Sequence, residues 1–87
     1  MNREKLNTWL EEREITLLLA DGFDDALIGM TSDSPPRAVY SIEKCLEKLE
    51  KEDRMTPEQA CDYFYFNVVG AYVGEETPVF IETFPEL

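Results

Sequence analysis

Thr56-Pro57-Glu58-Gln59 constrains this chain more tightly than any other short stretch. A threonine able to accept from the first-turn backbone, a proline whose missing N–H is not needed at the first helical position, and a glutamine placed to reach back to the cap form a capping box. The spacing predicts a helix opening at Pro57 and stopping near Gly70, which commits Tyr63-Phe64-Tyr65-Phe66 to helical geometry. Successive helical residues point about 100° apart, so four consecutive rings cannot share one face. Phe64 is expected in the core with Ala60, Cys61 and Val68, and the remaining rings turn sideways or outward.

Upstream, Ser41 is a second N-cap, followed by Ile42, Cys45, Leu46 and Leu49 at helical spacing with Glu and Lys on the opposite side. Leu6, Trp9 and Leu10 give the segment Asn2 to Glu14 a similar apolar stripe. Ile15-Thr16-Leu17-Leu18-Leu19 is too short for periodicity to separate a buried strand from a helical extension, and Asp21-Gly22 ends it with a turn. Ala26 to Met30 and Arg37 to Tyr40 flank the turn-forming run Thr31-Ser32-Asp33-Ser34-Pro35-Pro36 and read as a hairpin. After a loop at Gly74 to Pro78, Val79 to Thr83 reads as a strand.

These elements predict one α+β domain over residues 1–87: an N-terminal helix over 1–14 and an α+β core over 15–83. In it a small antiparallel sheet, made of the hairpin and the C-terminal strand, is covered on one face by two or three helices. Trp9, Leu27, Val39, Ile42, Leu46, Leu49, Phe64, Val68, Phe80 and Ile81 are the expected core. At 87 residues the chain has one core, and its 44% apolar content argues against disorder.

Charge narrows the function. Nineteen acidic against eight basic residues give a net charge of −11, a field that repels phosphate backbones and argues against direct nucleic-acid binding. No apolar run approaches the roughly 20 residues that span a bilayer, and the polar N-terminus lacks a signal-peptide core, so neither membrane association nor secretion is expected. Cys45 and Cys61 are expected to be reduced and buried on their helical stripes. A disulfide is the alternative, since both lie at similar distances from a helical hairpin turning near Arg54. With no histidine and no paired cysteines there is no zinc set, and no cofactor or catalytic residue is assigned.

Two groups of residues stand out as candidate contact sites. From Met55 to Leu87 the chain carries six carboxylates and no lysine or arginine, together with Tyr63, Tyr65 and Tyr72 and the acidic pair Glu75-Glu76. Packing of the helix on two sides, with tyrosine hydroxyls reaching water, competes with an exposed aromatic patch rimmed by acid. Asp21, Asp24 and Asp25 crowd one turn. They lack the alternating acids and the twelfth-position glutamate of a calcium loop, where Ser32 stands instead. Capping or turn stabilisation is their ordinary role; presenting phosphate-like charge to a basic groove is the functional one.

Asp21-Gly22-Phe23-Asp24-Asp25-Ala26-Leu27-Ile28-Gly29, the Ala38 to Cys45 junction, and Phe66 to Gly74 with Thr77-Pro78-Val79-Phe80 resemble a family of short uncharacterised proteins from tailed bacteriophages. The resemblance spans about residues 15–82. It implies a shared fold and a phage origin but transfers no activity and no site residue. With the acidity and the missing catalytic equipment, it leads to the expectation of an accessory protein in the host cytoplasm. Such a protein binds and inhibits or modulates a host protein with a basic surface, by mimicry of nucleic-acid charge in its sharpest form. A structural or assembly protein forming a homo-oligomer is the alternative, and a hydrolase the third reading.

Overall fold

The structure, a computed structural model, describes residues 2–85. Helix α1 (Arg3–Glu12) is followed by a 3₁₀ turn at Asp24–Ala26, strands β1 (Leu27–Met30) and β2 (Ala38–Ser41), and helices α2 (Ile42–Lys51) and α3 (Pro57–Tyr63). A π-helical stretch, Phe64–Val69, continues α3, and β3 (Val79–Ile81) closes the fold. The class is α+β, with a three-stranded sheet in the order β1-β2-β3.

The caps predicted at Ser41 and Thr56 are in place, and Asn2 supplies a third that was not predicted. Asn2 accepts from the Lys5 N–H at 3.1 Å and Ser41 from Lys44 at 3.3 Å. Thr56 accepts from the Gln59 N–H at 3.2 Å while its own N–H donates to the Gln59 side chain at 3.0 Å. Ser41 serves twice, as the last residue of β2 and the cap of α2, so strand and helix join without a loop.

The sheet is mixed rather than wholly antiparallel. β1 and β2 form the expected antiparallel hairpin, with a bulge between Leu27 and Gly29. β3 lies parallel to β2, pairing Val39 with Val79, Tyr40 with Phe80 and Ser41 with Ile81. Parallel pairing needs a crossover, which α2, α3 and the loop over 70–78 supply. The unbroken apolar run Val79-Phe80-Ile81, rather than an alternating one, is the pattern of a parallel strand.

A chain of rings organises the core. Tyr40, fully buried on β2, stacks on Phe80 of β3 with centroids 5.4 Å apart. Phe80 meets Phe64 edge-on at 5.3 Å, and Phe64 meets Phe23 at 6.4 Å. The buried Cys45, Leu49 and Ala60 bring α2 and α3 onto this chain, with Ala26, Leu27 and Ala38 beneath. The Tyr40 hydroxyl accepts from the Ala20 N–H at 2.7 Å, fastening the segment before the Asp21-Gly22 turn. Gly70 closes the π-helical stretch with ordinary helical dihedrals; its missing side chain matters because a Cβ there would stand 3.0 Å from the Phe66 carbonyl oxygen.

Several expected core positions lie elsewhere. Trp9 is 41% exposed, because α1 packs through Leu6 and Leu10, an i, i+4 pair, and leaves the indole beside that stripe under the Arg13 guanidinium. Ile81 is exposed at the sheet edge and Val39 is half-buried, whereas Ile42, Leu46, Val68 and Phe80, also half-buried, pack against the core as expected. Leu27, Leu49 and Phe64 are buried as expected; Phe23 and Tyr40 join them. Ile15 to Ala20 forms neither strand nor helical extension.

Two consequences are measurable. Tyr40→Phe removes the acceptor for the Ala20 N–H and is expected to cost about 1–2 kcal/mol in denaturant unfolding; an unchanged midpoint would show that the bond contributes nothing. Glu14 sits at φ 55 in a Schellman-type ending, where Ile15 donates to the Leu10 carbonyl at 2.9 Å and Glu14 to Glu11 at 3.1 Å. Glu14→Gly relieves the left-handed strain and is expected to raise stability by about 0.5–1 kcal/mol in the same assay.

Candidate binding surface

Continuation of α3 as a π-helix decides where the aromatic run points. Phe64 is sealed in the core while Tyr63 and Tyr65 are each a little under half exposed. Phe66 is 84% exposed, on the side away from Phe64. The Asn67 side-chain amide donates to the Tyr63 carbonyl at 3.2 Å, giving a backbone acceptor at the α-to-π junction a side-chain partner. Tyr63, Tyr65, Phe66 and Asn67 line one shallow hollow with Cys61 and Asp62.

The following loop carries Tyr72, 78% exposed, and is pinned by Thr77. The Thr77 hydroxyl accepts from the Val73 N–H at 2.9 Å and donates to the Gly74 carbonyl at 2.6 Å, with Gly74 at φ 105. This closes a tight turn with Glu75 exposed and Glu76 half-buried. Arg37 Nε donates to the Thr77 carbonyl at 2.6 Å, so one guanidinium from the β1–β2 connection anchors the otherwise cation-free C-terminal part.

The aspartates divide. Asp21 is exposed and lines a second hollow with Tyr63, Val73 and Phe80. Asp24 is half-buried and held bidentately by Arg3, at 2.7 and 3.1 Å, and this ion pair holds the guanidinium pKa above its usual value. Asp24 and Asp25 border a third, small hollow with Lys48, whose ammonium also pairs with Asp53 at 3.0 Å and lies over the Phe23 ring. Asp21 therefore sits with the tyrosines, and Asp24 and Asp25 with cations. Tyr72, Glu75 and Glu76 stand on their own loop and line neither aromatic hollow.

Sequence reasoning did not single out Phe66 or Phe84, the two most exposed aromatics. The first was legible: with Phe64 inward, a residue two positions on lies about 200° around a helix. Among the described residues no cluster of three or more His, Cys, Asp or Glu side chains is placed to hold a metal ion, and no helix is long and apolar enough to cross a membrane.

No family model, curated protein or solved structure matches this chain.

The cysteines are both free, but only Cys45 is buried. Cys61 is exposed, because α3 docks through Ala60 and Phe64 and the adjacent position faces about 100° away from that stripe. Burial pushes the Cys45 thiol up to about 11, which suppresses its thiolate further. A thiol reagent at neutral pH is expected to label Cys61 quickly and Cys45 only on unfolding, with peptide mapping to locate the adduct. Equal rates at both sites would contradict this burial pattern.

Proposed function

We propose that this chain is a small acidic accessory protein that binds a basic surface on another protein and inhibits or modulates it. The observation that carries the reading is the exposure of Tyr65, Phe66 and Tyr72 within a sequence region that has acids but no lysine or arginine. Large exposed rings supply affinity once water leaves them, and uncompensated carboxylates accelerate the encounter with a positive partner and disfavour a negative one. The resemblance to phage proteins points to a bacterial host protein as the target. Mimicry of nucleic-acid charge is the sharpest form of this reading, and it makes nucleic-acid enzymes the first class of target to test. Self-association through the same rings is the alternative that the exposed patch also supports, although the net charge opposes it.

Affinity capture from bacterial lysate at low and high salt, followed by binding kinetics with the captured protein, tests the proposal. Glu75→Lys with Glu76→Lys is expected to slow association and flatten its salt dependence, because rim charges act mainly on encounter. Tyr72→Ala is expected to speed dissociation, at about 2 kcal/mol if the ring is an anchor. Binding unchanged by both acid reversals together with truncation of Tyr63, Tyr65 and Tyr72, in a variant that still folds, would refute the proposal. Sedimentation that shows only self-association would establish the alternative.

A further inference from the structure

Between α1 and the Asp24–Ala26 turn, residues 15–20 form no helix, ladder, turn or bend. Both ends are fastened: the Ile15 N–H donates to the Leu10 carbonyl, the Ala20 N–H to the Tyr40 hydroxyl, and the Phe23 N–H to the Ala20 carbonyl. Between those anchors, no hydrogen bond engages Thr16, Leu17, Leu18 or Leu19 among the described residues. Burial alternates along the first part, with Ile15 and Leu17 half-buried and Thr16 and Leu18 exposed, which is the two-residue period of a strand. The sheet order β1-β2-β3 leaves this stretch out.

Apolar space lies to either side of it. Leu17 faces a hollow of about 480 Å³ formed with Leu6, Trp9 and the residues of β1. Leu18 and Leu19 wall another of about 330 Å³ with Val68, Val73 and Phe80. A strand-like stretch with unused backbone groups and apolar recesses along it has the parts that main-chain pairing requires: a ladder for affinity and pockets for alternate side chains.

We propose that Ile15–Leu19 is an open β-strand that receives an extended basic segment of another protein. Charge selects this occupant. Glu11, Glu12 and Glu14 precede the stretch and Asp21 follows it, four carboxylates against two cations, Arg13 drawn over the Trp9 ring and Lys5 on the wall of the Leu17 hollow. A second copy of this chain would bring another net charge of −11 against the first, whereas a strand with lysine or arginine at alternate or flanking positions is attracted. This strand site is distinct from the aromatic rings Tyr65, Phe66 and Tyr72 and holds without them.

The test uses the whole chain and a synthetic peptide of alternating valine and lysine, read by amide hydrogen exchange in NMR. The peptide is expected to bind and to slow exchange at alternate amides within Thr16–Leu19 by about tenfold or more. The same peptide N-methylated at every residue, which removes the donors of both edges, is expected not to bind. Leu18→Pro deletes an N–H that bonds nothing in the free protein, while it fixes φ at its own position at about −65° and asks that Leu17 be extended; a folded variant is expected to lose the peptide. If that variant unfolds, the N-methylated peptide still decides. Absence of binding at millimolar peptide, binding without added protection in this segment, or undiminished binding of the N-methylated peptide would overturn the proposal. Protection that grows with protein concentration alone would also overturn it, by making a second copy the occupant.

Discussion

Tyr40 is the point on which the rest of the fold depends. Its ring stacks on Phe80 and so helps hold β3 beside β2, although three residues make a short ladder. Through Phe80 the contact reaches Phe64 and then Phe23, so the sheet, the α3 junction and the Asp21-Gly22 turn share one aromatic chain. Its hydroxyl takes the Ala20 N–H and orders the end of a stretch that no sheet or helix holds. Edge-on and offset ring pairs add about 0.5–1.5 kcal/mol each beyond area burial, a large share of the margin in a domain of this size.

Charge is distributed in a way the net value conceals. All eight lysines and arginines fall between Arg3 and Arg54. There they are partly engaged: Arg3 with Asp24, Lys48 with Asp53 and the Phe23 ring, Arg13 over Trp9. The acids after Met55 have no basic residue of their own region, and among the described residues Arg37 reaches that region through a backbone carbonyl. An incoming cation therefore meets a net negative field on the same part of the chain that exposes its rings, with Arg37 alone set against it among the described residues.

Local signals in the sequence carried over almost intact. The capping box at Thr56, the cap at Ser41, and the hairpin around the Thr31–Pro36 run are set by neighbours within a few residues, where propensity and geometry agree. Burial was legible only where a stripe was narrow. Leu49 and Phe64 were assigned correctly, whereas the stripes containing Trp9 and Cys61 were read one position too wide, because a helix of two or three turns docks through a single i, i+4 pair. Phe23 escaped because a turn residue has no period, and its burial comes from Phe64 and Lys48, far away in sequence. The parallel pairing of β3 rests on how long the crossover is and where it returns. At the candidate surface, Tyr65 and Tyr72 were visible in advance and the outward side of Phe66 follows from helical spacing, but the change from α- to π-helix at Phe64 has no signature in the sequence.

The contrast between the two cysteines has a practical side. With Cys45 enclosed, Cys61 offers one addressable sulfur on the outer side of α3, bordering the hollow that Tyr65 and Phe66 share. A spin label or photo-crosslinker attached there needs no engineered residue and leaves the ring chain around Phe64 undisturbed. A molecule that covered those rings would fall within its reach, so the native chain already carries a reporter position on that face.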